Sequence, residues 1–313
     1  MRCAEALSVK PIKNKTTMKK MMMALAVAVI LPSCNKDDEP NRVPADGKIA
    51  IVIPVDSMEN HATITFGCST TTTAVRPMTR AALSSISLTD LWVYDLPSGQ
   101  TTPTLLVHQT SEDADFGAPT ITAEYGDHTF YFVASRGDTP TTDGTTITWA
   151  KPSDTFWSSL TMTVAPSTSS SQSVTLHRVA ARLRVTITDE VPTGLAVLSV
   201  TPSHWYYGID IMTGEATDDR QTARTVNVPA SYIATTGQLI ASFFTISPSA
   251  AWSTDVSLQA LKSDNTPMAS ISVADVPMQR NHITDYSGTL FGAGRAISID
   301  ADDSWGDDIQ GSW

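Results

Sequence analysis

Apolar and polar residues alternate with a period of two through much of the chain, in short runs closed by Gly, Pro, Asp or Ser. That pattern predicts half-buried strands, because successive side chains of an extended chain point to opposite faces. "HATITFG" at 61–67 follows it, and so does 179–187, where Val179, Ala181, Leu183, Val185 and Ile187 face Arg182, Arg184 and Thr186 across the strand. Two runs differ. "ISLTDLWVYDLPSG" at 86–99 and "HTFYFVAS" at 128–135 carry apolar side chains on both faces, which predicts central strands covered on both sides. Further strands are predicted at 49–55, 239–246, 256–261, 269–273 and 296–300, and no amphipathic helix of three turns stands out beyond residue 33. The fold class that follows is all-β, with two β-sandwich domains in tandem.

Composition between the runs sets the expected boundaries. A Thr-rich stretch without periodicity, 69–85, is expected to be an exposed connection, and the Ser-rich "PSTSSSQS" at 166–173 is expected to separate the domains. The N-terminal sandwich is therefore placed at 49–172 and the C-terminal sandwich at 173–313.

The N-terminus has a different pattern. Residues 21–31 are uncharged and follow Lys19 and Lys20, but a membrane-spanning helix needs about 20 apolar residues. A basic start, a short apolar core and small residues before a cleavage point describe a secretory signal instead. Residues 18–33 are expected to be that signal, with Met18 as the functional start and 1–17 as an upstream extension. Leu31-Pro32-Ser33-Cys34 resembles the lipobox of bacterial lipoproteins. That resemblance implies cleavage before Cys34 and acylation of its thiol and new amino group, and two or more acyl chains make a stable anchor. Residues 34–48, "CNKDDEPNRVPADGK", read as an acidic tether. Lys36-Asp37-Asp38 also resembles the signal that sends some Gram-negative lipoproteins to the outer face of the outer membrane.

Charge and cysteine count narrow the function. The formal charge of the 313-residue chain is −11, and removing residues 1–33 takes six basic residues from 21 and one acidic residue from 32, leaving −16. Such a chain is not built to neutralise phosphate backbones, so nucleic acid is excluded as a partner and membrane attachment must come from lipid. Of the three cysteines, Cys3 precedes the expected cleavage point and Cys34 would carry the lipid that the lipobox resemblance implies, which leaves Cys68 without a disulfide partner. Cys68 is expected to be a small semi-buried apolar residue.

Motifs for catalysis are missing from the sequence. There is no G-x-S-x-G elbow, P-loop or H-E-x-x-H, and the six histidines, His61, His108, His128, His177, His204 and His282, have no ligand spacing and are expected on loops or strand surfaces. No enzymatic activity, cofactor or metal site is expected. The acidic "IDADDSWGDD" at 299–308 offers oxygen ligands for Ca²⁺ but lacks the spacing and closing Glu of an EF-hand, and a solvated acidic terminus is the simpler reading. Trp205, Tyr206 and Tyr207 in "SHWYYG" allow either core packing or an aromatic platform for a glycan.

"LTDLWVYDLPSG", "HTFYFVASRGD", "TLHRVAARLRVTITDEVP" and "VPMQRNHITDYSGTLF" resemble, in this order, recurring segments of the fimbrillin family, the lipoprotein pilins and pilus anchors of anaerobic Gram-negative bacteria. The resemblance spans most of residues 80–300. It implies two transthyretin-like Greek-key sandwiches and a surface-exposed outer-membrane protein whose partners are other fimbrial subunits, joined by β-strand exchange. It also implies processing: in shaft subunits an arginine-specific protease frees the first strand, and "MTRAALS" places the candidate bond at Arg80-Ala81, with Arg76 as an alternative. Anchor subunits keep that strand, so both fates stay open. A glycan-binding surface lipoprotein is the alternative function.

Overall fold

Strands begin where the alternation begins. A computed structural model of the protein describes residues 61–70, 87–168, 171–292 and 297–301, all within one compact unit, Asp56–Trp313. The first nine strands are β1 (His61–Thr70), β2 (Asp90–Pro97), β3 (Thr104–Thr110), β4 (Thr120–Glu124), β5 (Gly126–Ser135), β6 (Thr141–Thr142), β7 (Thr146–Thr148), β8 (Thr155–Val164) and β9 (Ser171–Arg178). The next five are β10 (Ala180–Ile187), β11 (Val197–Pro202), β12 (Tyr206–Asp210), β13 (Ala216–Asp219) and β14 (Arg224–Asn227). One turn of 3-10 helix, Ala230–Tyr232, precedes β15 (Gln238–Ile246), β16 (Trp252–Leu261), β17 (Pro267–Met278), β18 (Ile283–Gly288) and β19 (Ile297–Ala301). The fold is all-β, as the alternation predicts.

Seven strands form the first sheet, in the order β3-β2-β5-β8-β9-β1-β4. It folds into two layers about β9, which runs parallel to β1 over Ser171–Leu176 and then pairs antiparallel with β8 through His177 and Arg178. Ile64, Phe66 and Cys68 of β1, Leu91 and Val93 of β2, Phe130 and Phe132 of β5, and Val174 and Leu176 of β9 fill the space between the layers. β2 lies between β3 and β5, and β5 between β2 and β8. This central position explains their unbroken apolar runs. The alternate side chains Trp92, Tyr94, Tyr131 and Val133 leave this core and enter a second one.

The second sandwich joins the sheet β19-β18-β10-β15-β12-β7-β6, with β13 on β12, to the sheet β14-β11-β16-β17. β10 has the expected half-solvated form: Ala181, Leu183, Val185 and Ile187 are buried, and Arg182, Arg184 and Thr186 are half-buried on the other face. The core contains Leu198, Val200, Trp205, Tyr207, Phe243, Val256 and Leu258. β17 runs well past the predicted 269–273.

The boundary expected near 172 falls within β9, a strand of the first sheet, and the change of sheet comes at Val179. In β9 Ser171, Ser173, Thr175 and His177 are exposed while Val174, Leu176 and Arg178 are buried. The Ser-rich composition is thus, in part, the solvent face of a strand. β6 and β7, although they precede 172, belong to the second sandwich, where β7 pairs with β12 over Thr146–Thr148. The predicted strand at 49–55 and the greater part of the connection at 69–85 lie outside the described residues.

Candidate functional site: the first strand and its groove

β1 is hydrogen-bonded on both sides. Its first half, His61–Thr65, pairs antiparallel with β4, and its second half, Thr65–Thr70, pairs parallel with β9. On the β4 side the bonding continues beyond that strand, as Phe66 N–H donates to Pro119 O at 2.9 Å and Cys68 N–H to Gly117 O at 2.8 Å. The Thr65 and Thr120 hydroxyls meet at 2.8 Å on the outer face.

The inner face of β1 is apolar. Ile64 and Phe66 are 0% exposed and Cys68 1%. The Phe66 ring lies 5.2 Å from that of Phe130 and 5.1 Å, edge-on, from that of Phe132. Burial pushes the Cys68 thiol up to about 12, so at neutral pH it is a protonated, inert filler, more deeply buried than the sequence suggested. Burying side chains of this size contributes about 1.5–3 kcal/mol each. Withdrawing β1 would therefore remove several kcal/mol and leave unpaired backbone on β4 and β9 beside an open apolar groove.

The remaining predicted site residues are dispersed. Cys34, Arg76, Arg80 and Ala81 lie outside the described residues, as does most of the acidic terminus; Asp300 is described only as part of β19. The aromatic trio needs correction as a glycan platform. Trp205 is 1% exposed and donates from Nε1 to Phe244 O at 3.0 Å, and Tyr207 is buried, with the guanidinium of Arg220 4.6 Å from its ring centroid. Tyr206 is half-buried against the edge of Trp252. Alternation within the strand sends the rings to different environments, so they cannot form one face.

His128 also departs from expectation. It is 4% exposed, with Nδ1 2.9 Å from Asp95 Oδ1, Nε2 3.0 Å from Glu124 O and its ring stacked on Phe130. His108 and His204 approach Asp90 and Asp219 at exposed positions. Among the described residues no three His, Cys, Asp or Glu side chains gather as a metal site.

Beside the buried His128 lies a cleft the sequence did not mark, bounded by the turn after β2 and by β5 and β8. Ser98, Gln100, Asp127, Thr129 and Thr161 line it. The Pro-Ser-Gly turn was its one visible sign, because the other residues come from separate strands.

These features define an all-β protein of two joined sandwiches in which the first described strand plugs a core. The chain belongs to a family of unknown function, DUF6562, whose profile matches residues 123–313. Among solved structures it is similar to a "putative adhesin" from Bacteroides thetaiotaomicron, with 8% identity and a TM-score of 0.50 over 80% of this chain and 98% of that one. It is also similar to "putative polysaccharide binding proteins (DUF1812)" from the same species, with 10% identity and a TM-score of 0.48 over 79% and 98% of the two chains. A "fimbrial assembly protein" from Parabacteroides distasonis aligns with 11% identity and a TM-score of 0.45 over 77% and 95%. At these identities the likeness is one of fold. No curated protein matches the chain.

Proposed function

We propose that the protein is a cell-surface adhesion-type lipoprotein, a fimbrial subunit or anchor that is tethered through lipid on Cys34 and assembles by β-strand complementation. The observation that carries the reading is the placement of β1. It is paired on both edges, it supplies Ile64, Phe66 and Cys68 to the core, and in the chain it directly precedes the segment that holds Arg76 and Arg80. A cut after Arg80 severs this strand from the rest of the fold. The vacated groove then offers unpaired backbone and an apolar floor, which are what a donor strand from another subunit repairs. An uncut chain keeps its own strand and serves as the anchor. The lipobox and acidic tether, the fimbrillin-like segments and the fold shared with the "putative adhesin" support the same reading.

Intact-mass measurement and N-terminal sequencing of the protein from its native cell surface test this. A lipidated Cys34 terminus identifies an anchor, and an Ala81 terminus within multimers identifies a strand-exchanging subunit. A mature N-terminus at neither position overturns the proposal.

A further inference from the structure

The cleft beside His128 has a volume of about 230 Å³. Its walls are well fixed. His128 is held between Asp95 and Glu124 O, Ser98 N–H donates to Asp127 O at 2.8 Å, and Gln100 N–H donates to Pro97 O at 3.0 Å. The Thr163 hydroxyl donates to Asp127 Oδ1 at 2.5 Å and so orients the carboxylate. The Thr129 and Thr161 hydroxyls are 3.1 Å apart, so one donates to the other and one O–H is left over.

Several polar groups in this cleft have no partner among the described residues. They are Asp127 Oδ2, the Ser98 hydroxyl and the Gln100 carboxamide. Together they mix acceptors and donors, and Leu96 and Pro97 add an apolar wall. No Lys or Arg lines the cleft, and in a chain of net charge −11 an anionic ligand would meet only repulsion. A divalent cation needs several oxygen ligands, mostly carboxylates, and Asp127 is the one carboxylate on the wall. What remains is a small neutral molecule rich in hydroxyls, with an apolar face for the wall and polar edges for the turn and the threonines.

We infer that this cleft binds one neutral sugar unit of a surface glycan, with Asp127 and Gln100 as its hydrogen-bonding contacts. The site is separate from the β1 groove, so the inference goes beyond the assembly reading and does not depend on it.

The test is saturation-transfer NMR on the full chain with methyl glycosides of neutral hexoses, deoxyhexoses and N-acetylhexosamines, followed by titration of those that respond. At least one glycoside is expected to bind. Gln100→Ala and Asp127→Asn are each expected to weaken it about tenfold or more, as loss of a hydrogen bond to a charged or well-placed group does. Both side chains are exposed, and Asp127→Asn keeps an Oδ1 acceptor for the Thr163 hydroxyl, so the thermal midpoint should shift little. No response to any glycoside, or binding untouched by both substitutions, would each overturn the inference. A chain that assembles but binds no glycoside loses this inference alone; one that binds a glycoside but carries neither mature terminus loses only the assembly reading.

Discussion

Phe66→Ala is the sharpest probe of the β1 plug. Phe66 is wholly buried and its ring meets two others, Phe130 and Phe132, at 5.2 and 5.1 Å. Truncating a buried Phe costs about 3–5 kcal/mol, which includes the cavity left behind, and each lost aromatic pair accounts for about 0.5–1.5 kcal/mol of that. The whole stability of a domain is about 5–15 kcal/mol, so the variant should lose a large part of it. Thr63, exposed on the opposite face of the same strand, provides the control, and Thr63→Ala should stay within about 0.5 kcal/mol. Urea titration of the uncleaved chain reads both as shifts of the midpoint at constant slope. If Phe66→Ala cost less than about 1 kcal/mol, or no more than Thr63→Ala, β1 would not be the plug of this core and the argument from strand withdrawal would fail.

Three other outcomes can be checked on the same chain. The raised Cys68 thiol ionises far more readily in the unfolded chain, near 9, than in the folded one, near 12. Stability from this group is thus complete below about pH 9 and falls by about 1.4 kcal/mol per pH unit as pH rises toward 12; urea midpoints of Cys68→Ala should lack that part of the decline. Asp154→Ala removes the carboxylate bonded to the buried guanidinium of Arg178 at 2.7 and 3.2 Å, leaves the positive charge without its paired carboxylate, and should cost about 3–5 kcal/mol in thermal or urea unfolding. Gly214 and Gly237 both have positive φ, +69° and +67°, but a Cβ on Gly214 would lie 2.6 Å from Trp157 whereas one on Gly237 meets nothing. Gly237→Ala should therefore cost about 1–2 kcal/mol from backbone strain alone and Gly214→Ala about 1–3 kcal/mol more, a difference that vanishes if Trp157 is free to move aside.

Period-two alternation made the principal strands legible, because burial on one face leaves a mark in the sequence itself. β10, β15 and β16 follow from Leu183, Val185 and Ile187, from Ala241 and Phe243, and from Val256, Leu258 and Ala260. β9 left a weaker mark, since its two buried apolar positions, Val174 and Leu176, come after Ser171 and Ser173, which face water. Short β6 and β7 carry too few residues for any period, and their place in the second sheet is fixed by Ile147 and Trp149 entering a core shared with Ile209 and Ile211. The aromatic run at Trp205–Tyr207 shows the reverse problem. Composition left core packing and a glycan platform both open, but in a strand successive rings part to opposite faces, and Trp205 and Tyr207 found core partners. The cleft beside His128 was least visible, because Ser98, Asp127 and Thr161 are brought together only by the pairing of β2, β5 and β8.

The two sandwiches are bound more tightly than tandem domains usually are, and this bears on how a change at β1 would be felt. Interfaces between domains of one chain are ordinarily polar and allow relative motion. Here Val133, Ile147, Trp149, Ile209, Ile211 and Ile246 are at most 1% exposed, which is the burial of a core. Trp157 of β8 donates from Nε1 to Ile211 O at 2.8 Å, and Arg178 at the end of β9 holds Asp154 on one side and Asn281 Oδ1 on the other at 3.0 Å. β9 is the common member. Its first six residues close the groove along β1, its last two pair with β8, and Val179 alone separates it from β10 at the centre of the second sandwich. An open groove therefore loosens the strand on which both halves depend, whereas a groove filled by any well-fitting strand secures them together. Under the proposed assembly, a pull on β1 would be carried into the second sandwich through β9, and complementation at β1 and the cohesion of both sandwiches would be one mechanical property.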